Sequence, residues 1–208
     1  RSTPSKGSLG GVSYGTREAS IILDAAGYDF IFIETVGVGQ SETMAANLVD
    51  IFTLIIGPGS GDELQGIKKG ITEYADIFIV NKNDGDLKLQ ASKTASDYKS
   101  ALSFYSKQDN QAAKEVLLVS SIEQQGMDSV IDTINEIINF NKLNKIFDVR
   151  RENQLSYWIK EEIRNQIQSK LDLEVGNDTE LYDMTKAVIK GEISIYDVSD
   201  HFLDKLFK

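Results

Sequence analysis

The sequence predicts an α/β protein, a mostly parallel sheet flanked by helices and followed by a helical appendage. Three observations carry this. Four short runs rich in β-branched and aromatic residues read as strands. Helical patterns separate them, the arrangement expected of βαβ units. Beyond about residue 141 only helical periodicity remains.

Each element has its own signal. Thr16–Ala26 reads as a helix stopped by Gly27. Asp29–Glu34 (DFIFIE) is the first expected strand, and Ser41–Leu48 a helix. Asp50–Gly57 (DIFTLIIG) and Asp76–Asn81 (DIFIVN) are strands on either side of a helix over Glu63–Tyr74. A Lys/Ala/Ser-rich helix around Lys93–Ser106 leads to the strand Glu115–Ser121 (EVLLVSS), and Met127–Phe140 is the next helix. The strand runs are continuously apolar, as for strands covered on both faces. Farther on, Leu155, Trp158, Ile159, Ile163, Ile167 and Leu171 recur at helical spacing. Leu181–Ile189 follows, then a helix from Ser194 with Asp197 three residues on, a variant capping box. The predicted division is an α/β part over 1–141 and a helical arm over 142–208.

Composition bounds the function. The chain has 208 residues, 41% of them apolar, enough for a sizeable core. No apolar run approaches the roughly 20 residues of a membrane span, and no secretory leader is recognisable, so neither a membrane partner nor secretion is expected. The absence of cysteine removes thiolate chemistry, and the single histidine, His201, is expected to be a plain surface residue. The net charge of −10 argues against a general nucleic-acid partner. An anionic small ligand stays compatible, because backbone N–H groups and a lysine or two supply local positive potential.

Asn81-Lys82-Asn83-Asp84 follows a strand directly and matches the N-K-x-D pattern of guanine-nucleotide recognition. A carboxylate at Asp84 can accept both N1–H and the 2-amino group of guanine, a pair adenine lacks. Asn81 can bond N7 and nearby backbone, and the Lys82 stem can lie across the base. The competing reading is a polar turn. Ser120-Ser121, at the end of the last strand, sits where such proteins place a backbone N–H for guanine O6, here that of Ser121. Glu34-Thr35-Val36-Gly37 suits an acid acting on Mg²⁺ through a water, with a glycine N–H for the γ-phosphate. Gly61–Lys68 only mimics a phosphate loop, since the lysine is displaced and no hydroxyl follows.

These stretches, with Ser8–Ser13 (SLGGVS), Ala25–Gly27 (AAG), Glu34–Glu42 (ETVGVGQSE), Pro58–Lys69 (PGSGDELQGIKK) and Gly126–Asp128 (GMD), resemble the MeaB/ArgK family of P-loop GTPases, which includes the methylmalonic aciduria type A protein. The resemblance implies a partial P-loop GTPase domain over 1–141 and a dimerisation arm over 142–208, with Trp158, Ile159 and Ile163 as interface candidates beside a plain core reading. It implies GTP/GDP and Mg²⁺ as cofactors. The implied function is a GTP-hydrolysing chaperone for an adenosylcobalamin-dependent acyl-CoA mutase of the methylmalonyl-CoA mutase type. Glu34, Gly37 and Gln40 become the catalytic candidates, with Gln40 able to orient water. Asn81, Lys82, Asp84, Ser120 and Ser121 become the nucleotide contacts. Asp62, Glu63, Gln65 and Lys68 fall in a mobile third switch. The implied location is the cytoplasm, or the mitochondrial matrix in a eukaryote. The family's phosphate loop has no counterpart in these residues, so the chain alone is expected to bind nucleotide weakly or not at all. The alternatives are a non-enzymatic interaction module and an arginine/ornithine transport-linked kinase or ATPase. A nickel metallochaperone GTPase is disfavoured by the lack of Cys and the single His.

Overall fold

The computed structural model describes residues 14–35, 41–59, 69–103, 114–176 and 178–206. In chain order they form α1 (Tyr14–Ala25), α2 (Ser41–Ala46), β1 (Thr53–Ile56), α3 (Lys69–Tyr74), β2 (Ile77–Val80), α4 (Lys88–Ser103), β3 (Glu115–Leu118), α5 (Met127–Leu143), α6 (Ile146–Val175), α7 (Asp178–Ile189) and α8 (Ile195–Leu206). A 3-10 turn, Gly85–Leu87, precedes α4. The chain divides into two units, residues 1–152 and 153–208, and the boundary falls inside α6.

In the first unit three strands pair in parallel in the order β1-β2-β3. All four residues of the central β2 are buried. Successive side chains of a strand enter opposite faces. Phe78 and Val80 therefore join Ala91, Ala95 and Tyr98 of α4 in one core. Ile77 and Ile79 join Val119 and Ile137 in a second core, lined by α5. Burying each of the large aliphatic or Phe side chains among these stabilises by roughly 1.5–3 kcal/mol, and each alanine by less. Coverage on both faces explains a strand sequence with no polar alternation.

The expected strand Asp29–Glu34 is not one. No described residue pairs with it, and Phe32 is 86% exposed. Its exposure alternates with period two, although the run was expected to be covered on both faces: Ile31, Ile33 and Thr35 are half-buried, while Phe30, Phe32 and Glu34 are exposed. The Phe30 and Phe32 rings stack at 6.5 Å. Apolar, β-branched composition favours an extended chain, but a strand also needs a neighbour for its N–H and C=O groups.

Other elements follow the sequence more closely. Gly27 ends α1 with φ +84°. Its N–H reaches Asp24 O at 2.9 Å, and that of Tyr28 reaches Leu23 O at 3.3 Å, the paired bonds of a Schellman stop. Lys114, just before β3, donates to the carbonyls of Thr72 and Glu73 at 2.7 and 2.8 Å and caps α3. Burial pushes its pKa down, against the pull of Asp76 and Glu73.

One clamp has no sequence signature. Arg150 donates to both Asp76 carboxylate oxygens at 2.8 and 2.9 Å and to the Asp50 carbonyl. Arg151 grips the Asp50 carboxylate at 2.7 and 2.9 Å. Asp76 also accepts the Phe52 N–H at 2.8 Å. The start of α6 is thereby tied to the amino-terminal edge of the sheet. Hydrogen bonding to Asp76 holds the Arg150 pKa above its ordinary value despite burial.

Among the described residues of the second unit, Trp158 and Phe202 are the buried large side chains. Trp158 is 4% exposed, whereas Ile159 and Ile163 are each about half exposed. Of the three interface candidates, Trp158 is therefore a core residue. The Ser194 capping box forms: the Ser194 N–H donates to Asp197 at 2.7 Å, and the Asp197 N–H to the Ser194 hydroxyl at 3.2 Å. His201 is not a bystander, since its Nε2 lies 2.8 Å from Glu180. Lys205 pairs with the same carboxylate. Among the described residues no helix is long and apolar enough to cross a membrane.

Candidate functional site

The three parallel strands end on one edge of the sheet, and two of them lead into the loops marked by the sequence. The Asn81 N–H donates to Ile56 O at 3.0 Å, at the end of β1. The Val119 N–H donates to Val80 O at 2.9 Å, and the Asn83 N–H to Val119 O at 3.0 Å. Residues 81–84 are thus fastened between the carboxyl ends of neighbouring strands, the place where open α/β sheets bind ligands.

Lys82 has φ +62°, in the left-handed region that costs a non-glycine residue about 1 kcal/mol. Its N–H donates back to Asn81 Oδ1 at 2.7 Å. The same oxygen accepts the Ser121 N–H at 3.2 Å and the Ser121 hydroxyl at 3.0 Å. Asp84 precedes the 3-10 turn, yet its side chain makes no capping bond there. It accepts instead from the Ser120 hydroxyl. A plain polar turn, with Asp84 as its cap, does not describe these bonds.

Ser120 is wholly buried, and its polar atoms are satisfied. Besides donating to Asp84, its hydroxyl accepts the Glu123 N–H at 3.0 Å. Its backbone exchanges two hydrogen bonds with Gln125, at 3.0 and 3.1 Å. Gly126 closes this loop at φ +79°, where a Cβ would lie 2.4 Å from Leu118 O. Sequence reasoning found the serines but gave Gly126 no structural task; the only cue was its place before α5. Asn83 Oδ1 is buried with no partner among the described residues, which the sequence did not foretell.

Asn81, Lys82, Asp84, Ser120 and Ser121 are therefore gathered on one edge by direct hydrogen bonds. The group can do recognition chemistry. A carboxylate held by one neighbour keeps lone pairs free for two parallel donors on a planar ring, and an oriented carboxamide can donate to a ring nitrogen. Residues of this type fit a purine edge.

The remaining candidates are not joined to this group. Glu34 is exposed and makes no hydrogen bond to a described residue. Gly37 and Gln40 lie outside the described residues, as do Asp62, Glu63, Gln65 and Lys68. Among the described residues no group of three or more acidic or histidine side chains could hold a metal. A lone carboxylate fits Mg²⁺ directly or through a water, provided that waters and phosphate oxygens fill the remaining positions.

Residues 1–175 match the sequence family described as Methylmalonyl Co-A mutase-associated GTPase MeaB. The Mus musculus protein named Methylmalonic aciduria type A homolog, mitochondrial, is 35% identical over 208 residues, covering all of this chain and 50% of that protein. GTPase ArgK of Escherichia coli is 37% identical over 171 residues, covering 80% of this chain and 50% of that one. The crystal structure of a LAO/AO transport system kinase aligns with a TM-score of 0.68 and 28% identity, over 93% of this chain and 62% of that chain. The chain spans about half the length of the curated relatives it matches.

Proposed function

The chain belongs to the MeaB family of methylmalonyl-CoA mutase-associated GTPases, and from that membership we propose that it is the base-recognising part of a GTP-hydrolysing chaperone. Its partner is an adenosylcobalamin-dependent acyl-CoA mutase of the methylmalonyl-CoA mutase type. The observation that carries this reading is the Asp84 carboxylate, which leaves an available helix cap unused and is held by buried Ser120. Beside it stands Asn81, bonded to Ser121.

In this reading Asp84 accepts the guanine N1–H and 2-amino group, Asn81 donates to N7, Lys82 covers the ring and the Ser121 N–H meets O6. Glu34 acts through a water on the Mg²⁺ that accompanies the nucleotide, Gly37 donates to the γ-phosphate and Gln40 orients the attacking water. Asp62, Glu63, Gln65 and Lys68 form a segment that responds to nucleotide and touches the mutase. Hydrolysis is positioning and electrostatics, slow until the partner completes the site. Residues 142–208 pair two copies of the chain. The protein acts in the cytoplasm, or in the mitochondrial matrix of a eukaryote. Since no phosphate-loop pattern occurs in these 208 residues, they hold the nucleotide weakly by themselves.

The test is Asp84→Asn in the longest polypeptide the gene encodes. Guanosine diphosphate affinity falls by about 100-fold, the loss of two charge-assisted hydrogen bonds, while xanthosine diphosphate gains. Wild-type protein retains a mutase in pull-down, and GTP and GDP retain different amounts. Unchanged guanosine affinity removes the base-recognition assignment, and the absence of any mutase removes the chaperone role.

A further inference from the structure

Three donors converge on a single atom of Asn81: the Lys82 N–H at 2.7 Å, the Ser121 N–H at 3.2 Å and the Ser121 hydroxyl at 3.0 Å. An atom reached by three donors is the amide oxygen, so the nitrogen end of the carboxamide is turned the other way. No described residue accepts a hydrogen bond from that nitrogen. The orientation of the amide is thus determined by the donors around Oδ1, and the loop keeps one side-chain donor in reserve.

The three bonds differ in what they do once a base arrives. In the reading above the Ser121 N–H goes to the ring carbonyl, and it makes the longest of the three contacts with Asn81. When it is given up, the Lys82 N–H and the Ser121 hydroxyl remain. Lys82 is the adjacent residue and moves with Asn81. Ser121 lies 40 residues away along the chain, on the loop that follows β3. Its hydroxyl is then the one bond that ties the carboxamide to the neighbouring loop.

We propose that the Ser121 hydroxyl is a positioning group that fixes the Asn81 carboxamide, so that Nδ2 is presented as the donor to N7 of a purine nucleotide. The proposal rests on the base-recognition reading and adds a division of labour to it. N7 is common to guanine and adenine. Ser121 therefore governs affinity through N7, while discrimination by the 2-amino group belongs to Asp84 and its partner Ser120. Ser121 is exposed, so loss of its Oγ opens no internal cavity.

The experiment compares three probes, GDP, 7-deaza-GDP (no N7 acceptor) and inosine diphosphate (no 2-amino group). Each competes against a labelled guanine nucleotide on the longest polypeptide the gene encodes. Wild-type protein prefers GDP over 7-deaza-GDP by about tenfold, the worth of one hydrogen bond. Ser121→Ala cuts that preference to about twofold, leaves the ratio of GDP to inosine diphosphate unchanged, and Ser121→Thr restores it. Ratios measured on one preparation are insensitive to its folded fraction. An undiminished N7 preference in S121A overturns the proposal, and so does an equal loss for all three probes. Failure of the wild-type protein to bind any of them overturns the base-recognition reading itself, and this proposal with it.

Discussion

Gly126 and Gly27 are both left-handed, at φ +79° and +84°, but their surroundings differ. A Cβ on Gly126 would meet backbone, Leu118 O at 2.4 Å, whereas nothing lies within 4 Å of one on Gly27. Gly27→Ala therefore costs only the conformational penalty, about 1 kcal/mol. Gly126→Ala adds displacement of β3 and of the loop that carries Ser120, and costs about 3 kcal/mol. Urea unfolding of the two variants checks the difference; equal losses would show that the loop yields freely. At this scale the sequence was informative about chemistry and silent about strain. Asn81 and Asp84 were legible as candidates because their residue types and spacing match the N-K-x-D motif directly after a strand. The left-handed backbone of Lys82, the buried Asn83 oxygen and the Ser120 bond to Asp84 were not. They depend on where the β3 loop comes to rest against the β2 loop, some 36 residues away along the chain.

Helix α8 shows both sides of legibility at the scale of elements. Its start was readable, because Ser194 and Asp197 are three residues apart and bond each other locally. Its attachment to α7 was not, since Glu180 and His201 are 21 residues apart. Hydrogen bonds from Lys205 and then His201 hold the Glu180 carboxyl below its ordinary pKa, and bonds from Ser194 do the same for Asp197. A depressed carboxylate contributes stability that is complete above its unfolded pKa and is lost as pH falls through the folded one. The melting temperature of the second unit accordingly drops on acidification from about pH 4.5 downward. Glu180→Gln removes part of that dependence and leaves the part due to Asp197. An identical acid profile in Glu180→Gln would mean that the α7–α8 contact does not use this carboxylate. The misread strand Asp29–Glu34 belongs to the same scale: its pattern encodes an extended chain, and pairing is decided by what lies beside it.

For the whole molecule, the tail stripe of Leu155, Ile159, Ile163 and Ile167 is exposed while neighbouring Trp158 is buried. Trp158→Ala therefore costs the second unit about 3–5 kcal/mol of stability. Ile159→Ala with Ile163→Ala changes the stability of a single copy by less than about 1 kcal/mol. If residues 142–208 pair two chains, the double variant shifts sedimentation from dimer to monomer without loss of helicity; unchanged sedimentation would set the arm aside as a dimer contact. The α/β class, three of four strands, the Gly27 helix stop and the N-K-x-D motif were determined by the sequence by itself. Each is written in neighbouring residues, through backbone preference, burial period or hydrogen-bonding chemistry. Tertiary structure alone decided that Asp29–Glu34 pairs with no described residue, that Arg150 and Arg151 clamp Asp76 and Asp50, and that Ser120 and Ser121 hold Asp84 and Asn81. Those outcomes join residues far apart in the chain, and their free energy exists only once the strands between them have packed.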